Sequence, residues 1–234
     1  GSVMADFEAV NSVAAGSIEA INGVAKTSIQ TIGGLTVPSS FSNGFSIEFG
    51  EPTASGQNQS EYLNGGNVLD KDQRSDNWTV TFWVRMPIDW APAATEYLNF
   101  ILTKQLGSST YQGWQIMLGD GTSGNKTKLM LGAGSNYAGS TFYRYGTAGG
   151  EITTGAWHHV ACVFKAGNNA PLVYVDGSSS TLSLIAGALG GSGHDTTNSA
   201  NFTVGNRPDL AGSSNDYYFT GFMDELAIFD DELT

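Results

Sequence analysis

The run Thr154-Gly-Ala-Trp-His-His-Val-Ala-Cys-Val-Phe-Lys165, followed by Leu172-Val-Tyr-Val-Asp-Gly177, restricts this chain more than any other stretch. From Trp157 to Lys165 every second position is apolar or small, and that two-residue period is the strand signature. Leu172 to Val175 is β-branched and aromatic, a composition that suits a pleated, half-buried surface. Gly167-Asn-Asn-Ala-Pro171 supplies turn chemistry between the two runs, and Asp176-Gly177 favours a tight turn with positive φ. The stretch therefore reads as a β-hairpin.

Other segments carry the same period. Phe45-Ser-Ile-Glu-Phe49 alternates. In residues 78–85, Trp78, Val80, Phe82 and Val84 share one face and Thr79, Thr81, Trp83 and Arg85 the other. Further strands are expected at 97–104, 114–118, 128–132, 202–206 and 219–229. The 31 glycines and the 14% charged residues suit short strands joined by many turns, not long amphipathic helices. A chain of 234 residues suits one β-sandwich with something added, or two small domains, and its 40% hydrophobic share is enough for one sizeable core.

The formal net charge is −12, and no basic cluster exists anywhere, which argues against nucleic-acid binding. Cys162 is the one cysteine, so no disulfide forms within a monomer; its place on the alternating strand marks a buried structural thiol. No stretch is long and apolar enough to insert into a membrane, and no basic segment followed by an apolar one reads as a secretory signal. Gly1, Ser2 and Val3 ahead of Met4 read as a cloning remnant.

Residues 4–37 differ from the rest. Val10-Asn-Ser-Val-Ala-Ala-Gly-Ser-Ile18 aligns with Ile21-Asn-Gly-Val-Ala-Lys-Thr-Ser-Ile29, and a third partial copy begins at Ile32-Gly-Gly-Leu35, an eleven-residue repeat. Asn-Gly and Gly-Gly inside the units would break a helix, so short strands at 17–21 and 27–32, joined by turns of the Asn22-Gly23 kind, are expected. Such strands are too few to bury an apolar face alone. Val37-Pro-Ser-Ser-Phe41 is the expected linker. The domains are thus a repeat arm, 1–37, and a sandwich, 38–234.

The motif Gly-Ala-Trp-His-His-Val-Ala with Val-Tyr-Val-Asp-Gly resembles the centre of laminin-G-like domains, within the concanavalin A-like lectin/glucanase superfamily. Trp78 to Arg85 is similar to that family's early core strand, and Phe202-Thr-Val-Gly-Asn206 and Phe219 to Phe229 to its closing strands, in the family's order. The resemblance implies an all-β fold: an antiparallel β-sandwich of jelly-roll, concanavalin A-like type, preceded by the short β-repeat arm. Relatives continue beyond a point like Thr234, so further domains are expected. The arm resembles short repeats that precede adhesive or lectin-like domains in bacteriophage structural proteins.

Glycosidases on this fold use carboxylates alternating on one strand. No such pattern occurs here: Asp224 and Glu225 are adjacent and would point to opposite faces of a strand. The chain is therefore read as no enzyme. Relatives carry a structural Ca²⁺, and the resemblance places Asp224 as its carboxylate ligand, with backbone carbonyls near Asn43 or Gly44. Sugars need exposed aromatic faces beside amide, carboxylate and Arg groups. The densest such cluster is Asn136, Tyr137, Tyr143, Arg144 and Tyr145, and a second centres on Tyr217; these are the expected glycan-binding residues. The function expected is glycan recognition or adhesion, non-catalytic, on a virion or otherwise extracellular. The arm would hold the protein to the virion or to copies of itself, as a homo-oligomer such as a trimer. Two alternatives are a ligand-free capsid or tail decoration protein, whose aromatic cluster would be packed, and a carbohydrate-binding module of a larger secreted enzyme.

Overall fold

The computed structural model describes residues 46–50, 62–87, 99–106, 112–119, 127–136, 141–168, 170–187, 194–206 and 219–233, together with the backbone of six short strands between residues 9 and 36. The chain divides into two units, Gly1–Phe45 and Ser46–Thr234; the sequence had suggested a boundary after residue 37. The first unit holds three hairpins of two-residue strands: β1 (Ala9–Val10) with β2 (Val13–Ala14), β3 (Ala20–Ile21) with β4 (Val24–Ala25), and β5 (Thr31–Ile32) with β6 (Leu35–Thr36). The pairs Val10↔Val13, Ile21↔Val24 and Ile32↔Leu35 recur at the spacing of the sequence repeat. Between them the sequence reads Asn-Ser, Asn-Gly and Gly-Gly, the dipeptide type that two-residue hairpin loops favour.

The second unit is an antiparallel sandwich. Its strands are β7 (Ile47–Phe49), β8 (Leu63–Gly66), β9 (Trp78–Arg85), β10 (Asn99–Gln105), β11 (Gly113–Leu118), β12 (Leu129–Asn136), β13 (Thr141–Gly146), β14 (Trp157–Phe164), β15 (Leu172–Val175), β16 (Ser178–Ser180), β17 (Ser183–Gly187), β18 (Phe202–Val204) and β19 (Gly221–Phe229). One sheet has seven strands in the order β17-β13-β12-β11-β10-β18-β8; the other has six, β16-β15-β14-β9-β19-β7. The all-β sandwich anticipated from the sequence is the fold.

The core lies between the sheets. Trp78, Val80, Phe82 and Val84 of β9 are fully buried, as their shared face requires, with Val160, Cys162 and Phe164 of β14 beside them. The opposing sheet contributes Ile101, Leu102, Trp114, Ile116, Leu118, Leu129 and Leu131. Trp78 stacks on Phe164 with ring centroids 4.4 Å apart and planes 6° from parallel. Burial pushes the Cys162 thiol far above its ordinary pKa, so it is the inert structural thiol expected.

A buried cation fastens the rim. Lys104 is fully buried, and its Nζ donates to Asn67 Oδ1 (2.8 Å), the Asn198 carbonyl (2.8 Å) and the Ala200 carbonyl (2.6 Å). Burial draws its pKa down, and the Asp70 carboxylate partly opposes this. Three oxygens meet the three donors of an ammonium, which is how a buried charge is tolerated. Residues 194–200 are pinned by Lys104, by Thr196 Oγ1 accepting from Gln73 N (3.1 Å), and by Asp70 Oδ1 accepting from Asn198 N (2.6 Å).

The Trp-His-His motif is a lock of the same kind. Asp176 (φ 51°) and Gly177 (φ 76°) form the tight turn between β15 and β16, closing the pair Val175↔Ser178. Asp176 Oδ1 accepts from His159 N, and its Oδ2 lies 2.8 Å from His158 Nδ1. His158 Nε2 accepts from Thr153 N (3.0 Å), so the ring proton sits on Nδ1 and is donated to Asp176. His158 thus faces inward and His159 outward, a choice the alternation had left open.

Burial tends to raise the pKa of Asp176, but its bonds to His158 and His159 outweigh this and hold the carboxyl below its ordinary value. A depressed carboxyl stabilises the fold above its unfolded pKa and loses that effect as pH falls through the folded one, here below about pH 4. Asp176→Ala is expected to lower stability by about 1–2 kcal/mol in urea unfolding at pH 7. The gap from the parent should narrow on acidification below that pH; an unchanged gap would mean the turn, not the carboxylate, carries the effect.

Candidate functional site

The predicted cluster around residues 136–145 is not one surface. Thr141–Gly146 is the strand β13, so its side chains alternate. Tyr143 and Tyr145 fall on the core side and are buried, their rings meeting at 5.3 Å. Gln73 Nε2 donates to the Tyr143 hydroxyl and to the Asn168 carbonyl (3.0 Å), and the His194 ring lies 5.5 Å away. Burial pushes the Tyr143 phenol well above its usual range. This corrects the expectation: a ring sealed between two sheets has no face to offer a sugar. Asn136 is placed as backbone at the end of β12, and Tyr137 and Tyr217 lie outside the described residues.

Arg144 falls on the opposite side of β13. The register Thr203↔Thr103↔Gln115↔Gly132↔Arg144 makes a polar row across the outer face of the seven-stranded sheet. Thr103, Gln115 and Thr203 are buried and Arg144 is half-buried, its guanidinium 5.6 Å from the Phe142 ring. Gly132 gives this row its room: a Cβ there would stand 2.8 Å from Gln115 Nε2. A parallel row of Phe100, Met117 and Met130 forms a small apolar cluster separate from the main core.

The more open chemistry lies on the outer face of the six-stranded sheet. Four strands bring its residues together through the registers Trp157↔Arg85↔Phe222↔Glu48 and His159↔Trp83↔Asp224. Trp83, Arg85, Trp157, His159, Phe222 and Asp224 are half-buried, while Glu48 and Glu225 are exposed. The Arg85 guanidinium lies 5.3 Å from the Trp157 ring and 4.3 Å from the Phe222 ring, a cation held between two π faces. Trp83 packs 5.2 Å from His159 and donates its Nε1–H to Glu225 Oε2 (3.1 Å). Burial lowers the His159 pKa, against the pull of Asp176 and Glu225.

A bulge decides where the acids point. The register of β19 on β9 slips between Asp224 and Ala227, and Glu225 has a positive φ of 47°. Strict alternation would send Glu225 to the core side of the sheet, but its carboxylate reaches the outward Trp83 indole. Asp224 and Glu225 therefore share one face, where the sequence reading had placed them on opposite faces. Asp224 Oδ1 also accepts from Glu225 N (2.8 Å). Among the described residues no group of three His, Cys, Asp or Glu side chains converges on a metal position. The backbone carbonyls near Asn43 and Gly44 that would accompany Asp224 lie outside the described residues.

A laminin-G family model of the concanavalin A-like lectin/glucanases superfamily matches residues 55–234. The chain belongs to this superfamily. No curated protein sequence matches it. Among solved structures it is similar to the CBM40 module of the Ruminococcus gnavus IT-sialidase bound to α2,3-sialyllactose. That match has a TM-score of 0.52 and 13% identity, covering 81% of this chain and 91% of that one. The same module bound to α2,6-sialyllactose matches with a TM-score of 0.50 and 11% identity, over 74% and 92%. A putative carbohydrate binding protein from Bacteroides ovatus matches with 0.49 and 18%, over 74% and 42%. At these identities the likeness is one of fold.

Sequence reasoning missed the outer face of the six-stranded sheet although part of it was legible. Trp83 and Arg85 had been assigned to the non-core side of their strand, and exposed aromatic and Arg side chains on a rigid sheet are what a sugar site uses. The missing signal was cross-strand register, which alone joins Trp157 and Phe222 to them. For Tyr143, truncation is expected to act on stability: Tyr143→Ala should cost about 3–5 kcal/mol by leaving a core cavity. Tyr143→Phe should cost about 1–3 kcal/mol by removing the Tyr143 partner of one N–H of the buried Gln73 amide, which keeps its bond to the Asn168 carbonyl. Thermal unfolding measures both, and a Tyr143→Ala protein as stable as the parent would contradict the placement.

Proposed function

We propose that this protein is a non-catalytic glycan-recognition module and that its binding face is the outer face of the six-stranded sheet. The observation that carries the reading is the meeting, on three paired strands, of Trp83, Trp157 and Phe222 with Arg85, Asp224 and Glu225. Aromatic faces meet the C–H surface of a sugar, and charged edges exchange hydrogen bonds with its hydroxyls. The sheet holds these groups rigid, so little ordering is needed on binding. The sialyllactose-bound modules of similar fold lend support to carbohydrate as the ligand class.

The finer reading places the module outside the cell, as an appendage of a virion, with the N-terminal hairpins joining copies of the chain. Each hairpin of that arm has two residue pairs, too few to be stable alone. Packing against other copies would supply the missing layer, and display of several weak sugar sites would raise avidity by about 10²–10⁴. A structural Ca²⁺ near Asp224 belongs to the same reading. The packing of Tyr143 and Tyr145 favours the alternative, a ligand-free decoration protein, for that cluster.

A glycan array run with Ca²⁺ and again with a chelator tests the proposal. Saturable binding is expected, with a loss of about tenfold or more in Trp83→Ala and Trp157→Ala, since stacked aromatics dominate such sites. Arg144→Ala should leave binding intact. Deleting residues 4–37 should give monomers that bind more weakly to a dense glycan surface. Release of reducing sugar that disappears in Asp224→Ala would instead make the protein an enzyme, and silence on the array would favour the decoration reading.

A further inference from the structure

We infer that the outer face of the six-stranded sheet selects uncharged oligosaccharides and rejects carboxylated ones, an inference that rests on the glycan-binding reading of that face. Among the outward-facing residues of the described strands of this sheet, Arg85 is the cation. It is flanked across its own row by Trp157 and Phe222, and beyond Phe222 by Glu48. The next row brings Asp224, and the bulge at Glu225 adds a carboxylate that regular alternation would have turned away. One guanidinium thus stands among Glu48, Asp224 and Glu225.

Each group is matched to a hydroxyl. The carboxylates accept from O–H donors, and the Arg85 edge donates to oxygen while its faces are occupied by the two rings. The His159 ring supplies no second fixed cation: burial lowers its pKa, against the opposing pull of Asp176 and Glu225. A ligand carboxylate brought to this surface would gain one attraction and meet three like charges. Like-charge juxtaposition is how interfaces turn partners away. The chain's net charge of −12 acts in the same direction at longer range. The module of similar fold was seen with two sialyllactoses, ligands that do carry a carboxylate, so the selection inferred here is the opposite one.

The test is calorimetric titration of the full chain with matched pairs: lactose against α2,3-sialyllactose, and neutral galacto-oligosaccharides against oligogalacturonates. The neutral member of a pair should bind at least about tenfold tighter, by the like-charge argument. The double variant Asp224→Asn, Glu225→Gln should narrow that ratio while thermal unfolding shows a folded protein, and raising the salt concentration should narrow it in the parent. Tighter binding of the acidic members, abolished by Arg85→Met, would overturn the selection while leaving glycan binding intact. Neutral binding indifferent to Trp83→Ala would place the site elsewhere and overturn the inference. No heat with any member would overturn the glycan reading itself.

Discussion

The pairing of β9 with β14 supports everything else in the sandwich. It runs without a slip from Trp157↔Arg85 to Phe164↔Trp78. Because side chains alternate, one unbroken register does two jobs. It presents Trp78, Val80, Phe82 and Val84, with Val160, Cys162 and Phe164, to the core, and it aligns Thr81, Trp83 and Arg85 beside Ala161, His159 and Trp157 on the other side. A one-residue slip would exchange the two sets. Core and candidate binding face are therefore one decision, made by burial: the apolar set is sealed, and the mixed set is left outward.

The strand that completes this face breaks the rule, and the break is where its chemistry arises. β19 follows β9 in register to Asp224 and resumes at Ala227. The bulge lets Glu225 turn its carboxylate to the Trp83 indole and not towards the core, where an unpaired charge would be costly. Elsewhere the same problem is met by satisfaction instead of avoidance: Lys104 stays buried because three oxygens surround its ammonium. Asp176 ties the turn between β15 and β16 to β14 through both histidine positions.

The sequence by itself determined the class of fold. A two-residue period at Trp78–Arg85 and Trp157–Phe164, with an Asp-Gly turn after Val175, leaves few alternatives to an antiparallel sandwich, and the eleven-residue repeat set the spacing of three hairpins. The core set was legible for the same reason, since burial acts on each strand locally. The candidate site was not. Tyr143, Arg144 and Tyr145 looked like one cluster because they are neighbours along the chain, yet strand geometry sends the tyrosines into the core and Arg144 to the far side of the sheet. The aromatic face that tertiary structure does assemble draws Arg85, Trp157 and Phe222 from three separate parts of the chain. Register between strands brings them together, and register is fixed by the packing of the whole core, which no single segment encodes.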